Sequence, residues 1–251
     1  MRDCFWKLNM QDSTIEFSNN LPQIPGNAIA VNFREAVGGI MFIKMNYADT
    51  TFYIEFDSGN NKPLTLSDSL FMRSEDYKKG HYAISNGVIG YSLYEKNIAH
   101  SYRTVSNISL DGASFSDVVI EAQPSSKLLI GTPFIRNRET VFDWQNHKIY
   151  FMQLPGYGKG EDGKHSMGLS FNLTDNKLKV EHLWKCSSAD KAGIQLGDDV
   201  IAINGTDTKN LTHEQFCSIR DAVYNDQMDI TIRHVSGAEQ KCTIKKEELI
   251  K

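Results

Sequence analysis

The sequence predicts a mainly β chain built as two successive units, and three observations carry that prediction. Short strand-like runs recur through roughly the first 150 residues with little helical periodicity, a glycine-rich charged segment then breaks the apolar pattern, and the remainder mixes strands with one capped helix. In the first part the runs are Met41 to Met45, Thr51 to Phe56, Gly87 to Tyr94, Val118 to Ile120 and Lys148 to Met152, punctuated by turn residues such as Asp111-Gly112 and Gln145-Asn146-His147. That is the pattern of an all-β domain made of hairpins. Residues 154–166 hold Gly156, Gly158, Gly160 and Gly163 among charges, have no apolar period to bury, and read as a linker. Beyond them come Lys177 to Leu183, Asp199 to Ile203 and Met228 to Arg233 as strands. A helix opens at Thr212-His213-Glu214-Gln215, a capping box, with Phe216, Ile219 and Val223 spaced to supply its buried face.

Composition narrows the function classes. A chain of 251 residues with 40% hydrophobic and 23% charged residues can bury a core and is neither collagen-like nor mainly disordered. Its net charge of −4 gives no basic excess to neutralise phosphates, so nucleic acid is not an expected partner. The longest apolar runs fall short of the roughly 20 residues that span a bilayer, and the first residues do not form a basic region followed by an apolar one. Neither a membrane span nor a signal peptide is therefore expected. Cys4, Cys186, Cys217 and Cys242 lie far apart, without the close spacing that zinc or dithiol chemistry requires; no metal or other cofactor is expected, and the cysteines read as reduced side chains.

An internal repeat adds an organisational signal. Phe5 to Phe17 aligns without gaps on Glu139 to Phe151 at an offset of 134 residues: Gln11/Gln145, Ile15/Ile149 and Phe17/Phe151 are identical, while Asn9/Asp143 and Asp12/Asn146 exchange acid for amide. Each copy reads as strand, polar turn, strand.

Within the β domain, Tyr53-Ile54-Glu55-Phe56-Asp57-Ser58-Gly59 delivers an aspartate from a strand into a tight turn. One carboxylate held this way becomes an acid–base device when a second faces it, because two like charges a few ångströms apart share one proton and can activate water against a peptide carbonyl. A hairpin precedes the motif (Ile40 to Tyr47, Thr51 to Phe56). Another follows at His81 to Tyr94, with Ser85-Asn86-Gly87 expected at its tip. Seventy-four residues after Asp57, Gly131 sits in Leu128-Leu129-Ile130-Gly131-Thr132-Pro133-Phe134-Ile135.

On these residues the segment resembles one lobe of the aspartic peptidases, retroviral-type lobes above all, over about Ala28 to Gln153. The resemblance implies an acid-protease-like β-barrel lobe in which Asp57 is a catalytic aspartate positioned by Ser58 and Gly59. Ile130 and Gly131 would form the strand behind that turn, and the stretch around Ser85, Asn86 and Gly87 the flap. Asn60-Asn61 departs from the Ala or Ser that active members carry after the motif glycine. A lobe of this kind holds one aspartate, so activity on a polypeptide substrate requires a homodimer mate or a fused second lobe. The Phe5 repeat favours fusion: residues 1–27 read as the closing hairpin and connector of a preceding lobe, with the natural chain starting upstream of Met1. The isolated fragment would be inactive unless it dimerises. A catalytically inactive protease-like scaffold that binds peptides is the alternative.

After the linker, the series Ser187-Ser188-Ala189-Asp190-Lys191-Ala192-Gly193-Ile194-Gln195-Leu196-Gly197-Asp198, continuing to Ile203-Asn204-Gly205, resembles a PDZ domain across residues 167–251. The resemblance implies a partly open β-barrel with one or two helices. It also implies capture of peptide C-termini by β-augmentation, with Gly168-Leu169-Ser170-Phe171 as the carboxylate loop and His213 opening the groove helix. PDZ-linked proteases of bacterial type are often exported, which points to the envelope or periplasm.

Overall fold

A computed structural model describes residues 3–91, 96–124, 127–136, 138–154, 164–175 and 177–250. The chain is mainly β and divides into two compact units, Met1–His81 with Thr104–Gly163, and Tyr82–Arg103 with Lys164–Lys251. The linker expected over 154–166 falls mostly on residues outside the described ones. Residues 82–103, expected within the first lobe, belong to the second unit.

The first unit opens with a hairpin of β1 (Phe5–Asn9) and β2 (Thr14–Ser18). There follow β3 (Ile29–Ala36), β4 (Ile40–Tyr47) and β5 (Thr50–Asp57), antiparallel in turn. Along β4 the alternate residues Met41, Ile43, Met45 and Tyr47 are buried, the period of two that a one-faced strand requires. Ala48 and Asp49 both take positive φ, the left-handed pair that closes a two-residue hairpin between β4 and β5. Next come β6 (Leu64–Ser67) and the short helices α1 (Asp68–Phe71) and α2 (Glu75–Lys79); β7 (Ala83–Tyr91) and the start of β8 (Lys96–Leu110) belong to the second unit, and β8 from Thr104 onward to the first. The unit is completed by β9 (Ala113–Gln123), β10 (Leu129–Gly131), α3 (Thr132–Ile135), β11 (Arg138–Asp143) and β12 (Lys148–Gln153). β10 runs parallel to β5 and antiparallel to β6, and β6 runs parallel to β9. Ile43, Ile54, Leu64, Leu66, Ile120, Ile130 and Ile149 form a core closed to solvent.

The two copies of the repeat pair with each other. β1 lies antiparallel on β11 with Phe5 opposite Asp143, Lys7 opposite Val141 and Asn9 opposite Glu139, giving the order β2-β1-β11-β12-β3. Both turns are built alike. Asn9 accepts from the Asp12 amide at 3.3 Å and donates its Nδ2 to Asp12 Oδ2 at 2.9 Å. Asp143 accepts from the Asn146 amide at 3.0 Å and from its Nδ2 at 2.8 Å. The acid–amide exchange thus keeps one hydrogen bond with donor and acceptor reversed. Trp6 packs edge-on against Trp144 at 5.4 Å, and Trp144 against Phe33 at 5.5 Å.

The second unit runs through β13 (His165–Ser166), β14 (Leu169–Thr174), β15 (Lys177–Trp184), α4 (Ser188–Lys191), β16 (Asp199–Ile203) and β17 (Thr206–Asp207). It ends with α5 (His213–Asp221), β18 (Gln227–Arg233), β19 (Glu239–Lys245) and β20 (Glu247–Glu248). The expected capping box is present: Thr212 Oγ1 accepts from the Gln215 amide at 3.2 Å, and Gln215 Oε1 accepts from the Thr212 amide at 2.9 Å. Asn204 and Gly205, both at positive φ, turn β16 into β17. Leu169, Phe171, Val180, Leu183, Ile219 and Ile230 share one buried cluster, with Phe216 and Val223 packed partly against it. Cys186 and Cys242 are free thiols.

One expected feature is corrected. Ser85, Asn86 and Gly87 do not form a hairpin tip but lie within β7, opposite Ser101, His100 and Ala99 of β8. On its other edge β7 pairs with β15: Ser85 with Trp184, Asn86 with Leu183, Gly87 with His182. The glycine that suggested a turn serves close approach instead. It sits at φ 122°, and a Cβ there would lie 2.1 Å from the Glu181 carbonyl oxygen.

Candidate functional site

Asp57 ends β5 in parallel register with Gly131 of β10. The turn after it closes on the aspartate itself, as Gly59 donates its amide to Asp57 Oδ1 at 2.8 Å and Asn60 donates to the Asp57 carbonyl at 3.1 Å. The carboxylate is half-buried, while Ser58 and Gly59 are exposed. A carboxylate accepting a backbone N–H is fixed in direction at little entropic cost.

The segment 128–135 holds this turn from behind. Thr132 donates its hydroxyl to the Ser58 carbonyl and its amide to the Asn60 carbonyl, the latter at 3.0 Å, while Gly131 donates to the Pro63 carbonyl at 2.9 Å. The fit leaves no room for a side chain at Gly131, where a Cβ would lie 2.1 Å from the Lys62 carbonyl oxygen and 2.5 Å from that of Asn60. Asn60 has a structural reason to be present: its Nδ2 donates to Thr65 Oγ1 at 3.1 Å and its Oδ1 accepts from the Lys62 amide at 3.3 Å. Lys62 in turn pairs with the buried Glu121 at 2.6 Å and donates to Gln123 Oε1 at 2.7 Å. Lys62 and Glu121 had no signal in the sequence, since they act through each other across 59 residues, and the role of Thr132 depends on Ser58, 74 residues away.

In the second unit, Gly168 precedes β14 at φ 94°, and a Cβ there would fall 1.9 Å from Ser187 Oγ. Its amide donates to Ser166 Oγ at 3.0 Å and its carbonyl accepts from Trp184 at 2.7 Å, fixing the start of the strand. Leu169 and Phe171 point into the core and Ser170 out, with a register shift between Ser170 and Phe171. Among the described residues β14 pairs with β15 alone, so its outer edge carries no strand. His213 is the first residue of α5, whose Ile219 shares the core with Leu169 and Phe171. The predicted residues thus form two groups, Asp57 to Gly59 in the first unit and Gly168 to Phe171 with His213 in the second. Ser85, Asn86 and Gly87 belong with β15.

Residues 158–233 match the PDZ domain family. Among solved structures the chain is similar to the PDZ domain of EpsC from Vibrio cholerae, with 16% identity over 32% of this chain and 94% of that one and a TM-score of 0.24. It is similar to a retropepsin-like aspartic protease from Rickettsia conorii, with 12% identity over 50% of this chain and 89% of that one and a TM-score of 0.33. It is also similar to Basic 7S globulin from soybean, with 9% identity over 59% of this chain and 50% of that one and a TM-score of 0.37. No curated protein matches the sequence. The chain carries a PDZ domain at residues 158–233, preceded in sequence by a mainly β lobe.

Proposed function

We propose that the first unit is one half of an aspartic endopeptidase and that the PDZ domain binds the C-termini of polypeptides presented to it. The observation that carries the catalytic half is the setting of Asp57: a strand-end carboxylate, oriented by the Gly59 amide and backed by Gly131 and Thr132. With a second aspartate opposite, the pair holds one proton between them; the ionised member takes a proton from water as it attacks the scissile carbonyl, and the protonated member stabilises the developing oxyanion. Ser58 and Gly59 are positioning residues for that carboxylate.

The second aspartate comes from a lobe related to this one by the local two-fold between β1 and β11. Because β1 already fills the edge of β11, the closing hairpin of a second copy has no place to pair there, which favours a covalently fused lobe over a homodimer. In the PDZ domain, an extended peptide adds to the outer edge of β14 with its carboxylate at the Gly168 to Phe171 loop, beside α5 opened by His213.

The test is peptide cleavage by the native protein at acidic pH. Loss in Asp57→Asn supports the assignment, and undiminished cleavage overturns it. Titration of the PDZ domain with peptides bearing free or amidated C-termini tests the binding role separately; equal affinity would contradict carboxylate capture.

A further inference from the structure

Arg138 of the first unit makes no ion pair with a carboxylate among the described residues. Arg138, the first residue of β11, donates from Nη1 to the Phe134 carbonyl, and its guanidinium lies over the rings of Phe134 at 4.6 Å and Phe115 at 5.7 Å. Among the described residues it forms no ion pair, and burial alone holds its pKa below the ordinary arginine value. One of its five N–H donors is spent on Phe134, and among the described residues the others meet no protein acceptor. Desolvating a charge without an opposite charge is costly, and a protein that retains such a charge commonly uses it to meet an anion.

The guanidinium lines a cavity of about 300 Å³. Ile29, Val118, Val119, Pro133, Phe134 and Phe151 supply apolar wall. Phe115, Phe134 and Phe151 pack on one another with centroids 5.4 to 5.6 Å apart, which makes that wall rigid. Asn27, Ser114, Ser116 and Gln153 add polar lining, so the cavity joins an aromatic wall to a hydrogen-bonding rim around the guanidinium, a combination that small-molecule sites use. The group present selects the ligand. A planar guanidinium fork matches a carboxylate bidentately, and aromatic walls match an apolar tail. Asp117, also in the lining, opposes a doubly charged phosphate more than a single carboxylate.

We propose that this cavity is a binding site for organic monocarboxylates with an apolar tail, the carboxylate on Arg138 and the tail against Phe115, Phe134 and Phe151. The site is separate from the Asp57 turn and does not depend on the proposed peptidase role.

The experiment is an NMR titration of the protein, with methyl groups of Ile29, Val118 and Val119 as reporters, using 3-phenylpropionate and its amide as probes. The expected result is saturable shifts at those three residues with the acid, and about tenfold or weaker binding of the amide. N-acetyl-Ala-Ala-Phe with a free carboxylate distinguishes a small acid from a chain terminus as the source of the ligand: its binding extends the site to polypeptide ends, and its exclusion restricts the site to small acids. Arg138→Gln should lose acid binding by about tenfold while leaving the amide unchanged. The comparison of acid with amide in the unsubstituted protein needs no variant to fold. Equal binding of acid and amide, or no shift at the three reporters at millimolar acid, overturns the proposal.

Discussion

Lys7 pairs with Val141, the residue 134 positions further along, at the centre of the β1–β11 ladder. The offset is the one at which the two hairpin sequences align, so the ladder joins each repeated segment to its own equivalent around a local two-fold axis. Self-complementary pairing of this kind is the hallmark of a two-fold interface. It extends to the turns, where Asn9–Asp12 and Asp143–Asn146 make one hydrogen bond in opposite senses.

That reversal predicts compensation. Asp143 is fully buried, so Asp143→Asn or Asn146→Asp alone sets two donors or two acids against each other and should cost about 1–3 kcal/mol. The double exchange, which installs the arrangement seen at Asn9 and Asp12, should recover most of the loss in a denaturant titration. Additive losses would show that the two turns are not equivalent.

Gly87 makes the pairing of β7 with β15 possible. Gly87→Val should free β7 from β15, because the side chain would have to occupy the position of the Glu181 carbonyl in a backbone conformation unsuited to β-branched residues. Arg103 stacks over Trp184 at 4.3 Å, so the change should appear as altered Trp184 fluorescence and faster amide exchange across residues 84–87. Unchanged exchange would contradict the pairing.

His234 gives the second unit a pH response. Its Nε2 faces Gln240 Oε1 and its Nδ1 faces Asp198 Oδ2, each at 3.1 Å, so both nitrogens meet acceptors and the imidazolium is favoured. The Gln240 hydrogen bond and the Asp198 carboxylate raise the pKa above the ordinary histidine value, against desolvation. A raised folded-state pKa contributes stability below the unfolded value of about 6.5, lost as pH rises through the folded value. An NMR titration of His234 should show the raised midpoint, and Asp198→Asn should lower it. A midpoint that does not move in Asp198→Asn would remove Asp198 as a cause.

Behind the Asp57 turn, Glu121→Gln should be destabilising by about 3 kcal/mol, because it leaves Lys62 desolvated without its charge partner. Replacing both Lys62 and Glu121 with Met should cost less than the single change, as thermal melting would report. A double variant less stable than the single one would show that the pair contributes more than mutual neutralisation.

The sequence made the strands, the capped helix, the Asp57 turn and the PDZ domain legible because each rests on local chemistry: alternation, caps, and glycines in turns. The hairpin repeat was legible because its turns need a fixed polar pair. Where a residue is explained only by a distant partner, the sequence misleads or is silent. Gly87 read as a turn because nothing near it announces Glu181, 94 residues on. Asn60 read as a departure because its partner Thr65 and the Thr132 amide meet it only after β5, β6 and β10 have assembled. Arg138 gave no signal, since its environment is made by Phe115 and Phe134 from other elements.

The measurement that bears most directly on the peptidase reading is the pH dependence of kcat/KM for peptide cleavage by the native protein. Two carboxylates sharing one proton predict a bell with both limbs below neutrality, lost in Asp57→Asn. A rate that keeps rising through neutral pH, or a bell that survives Asp57→Asn, would contradict it.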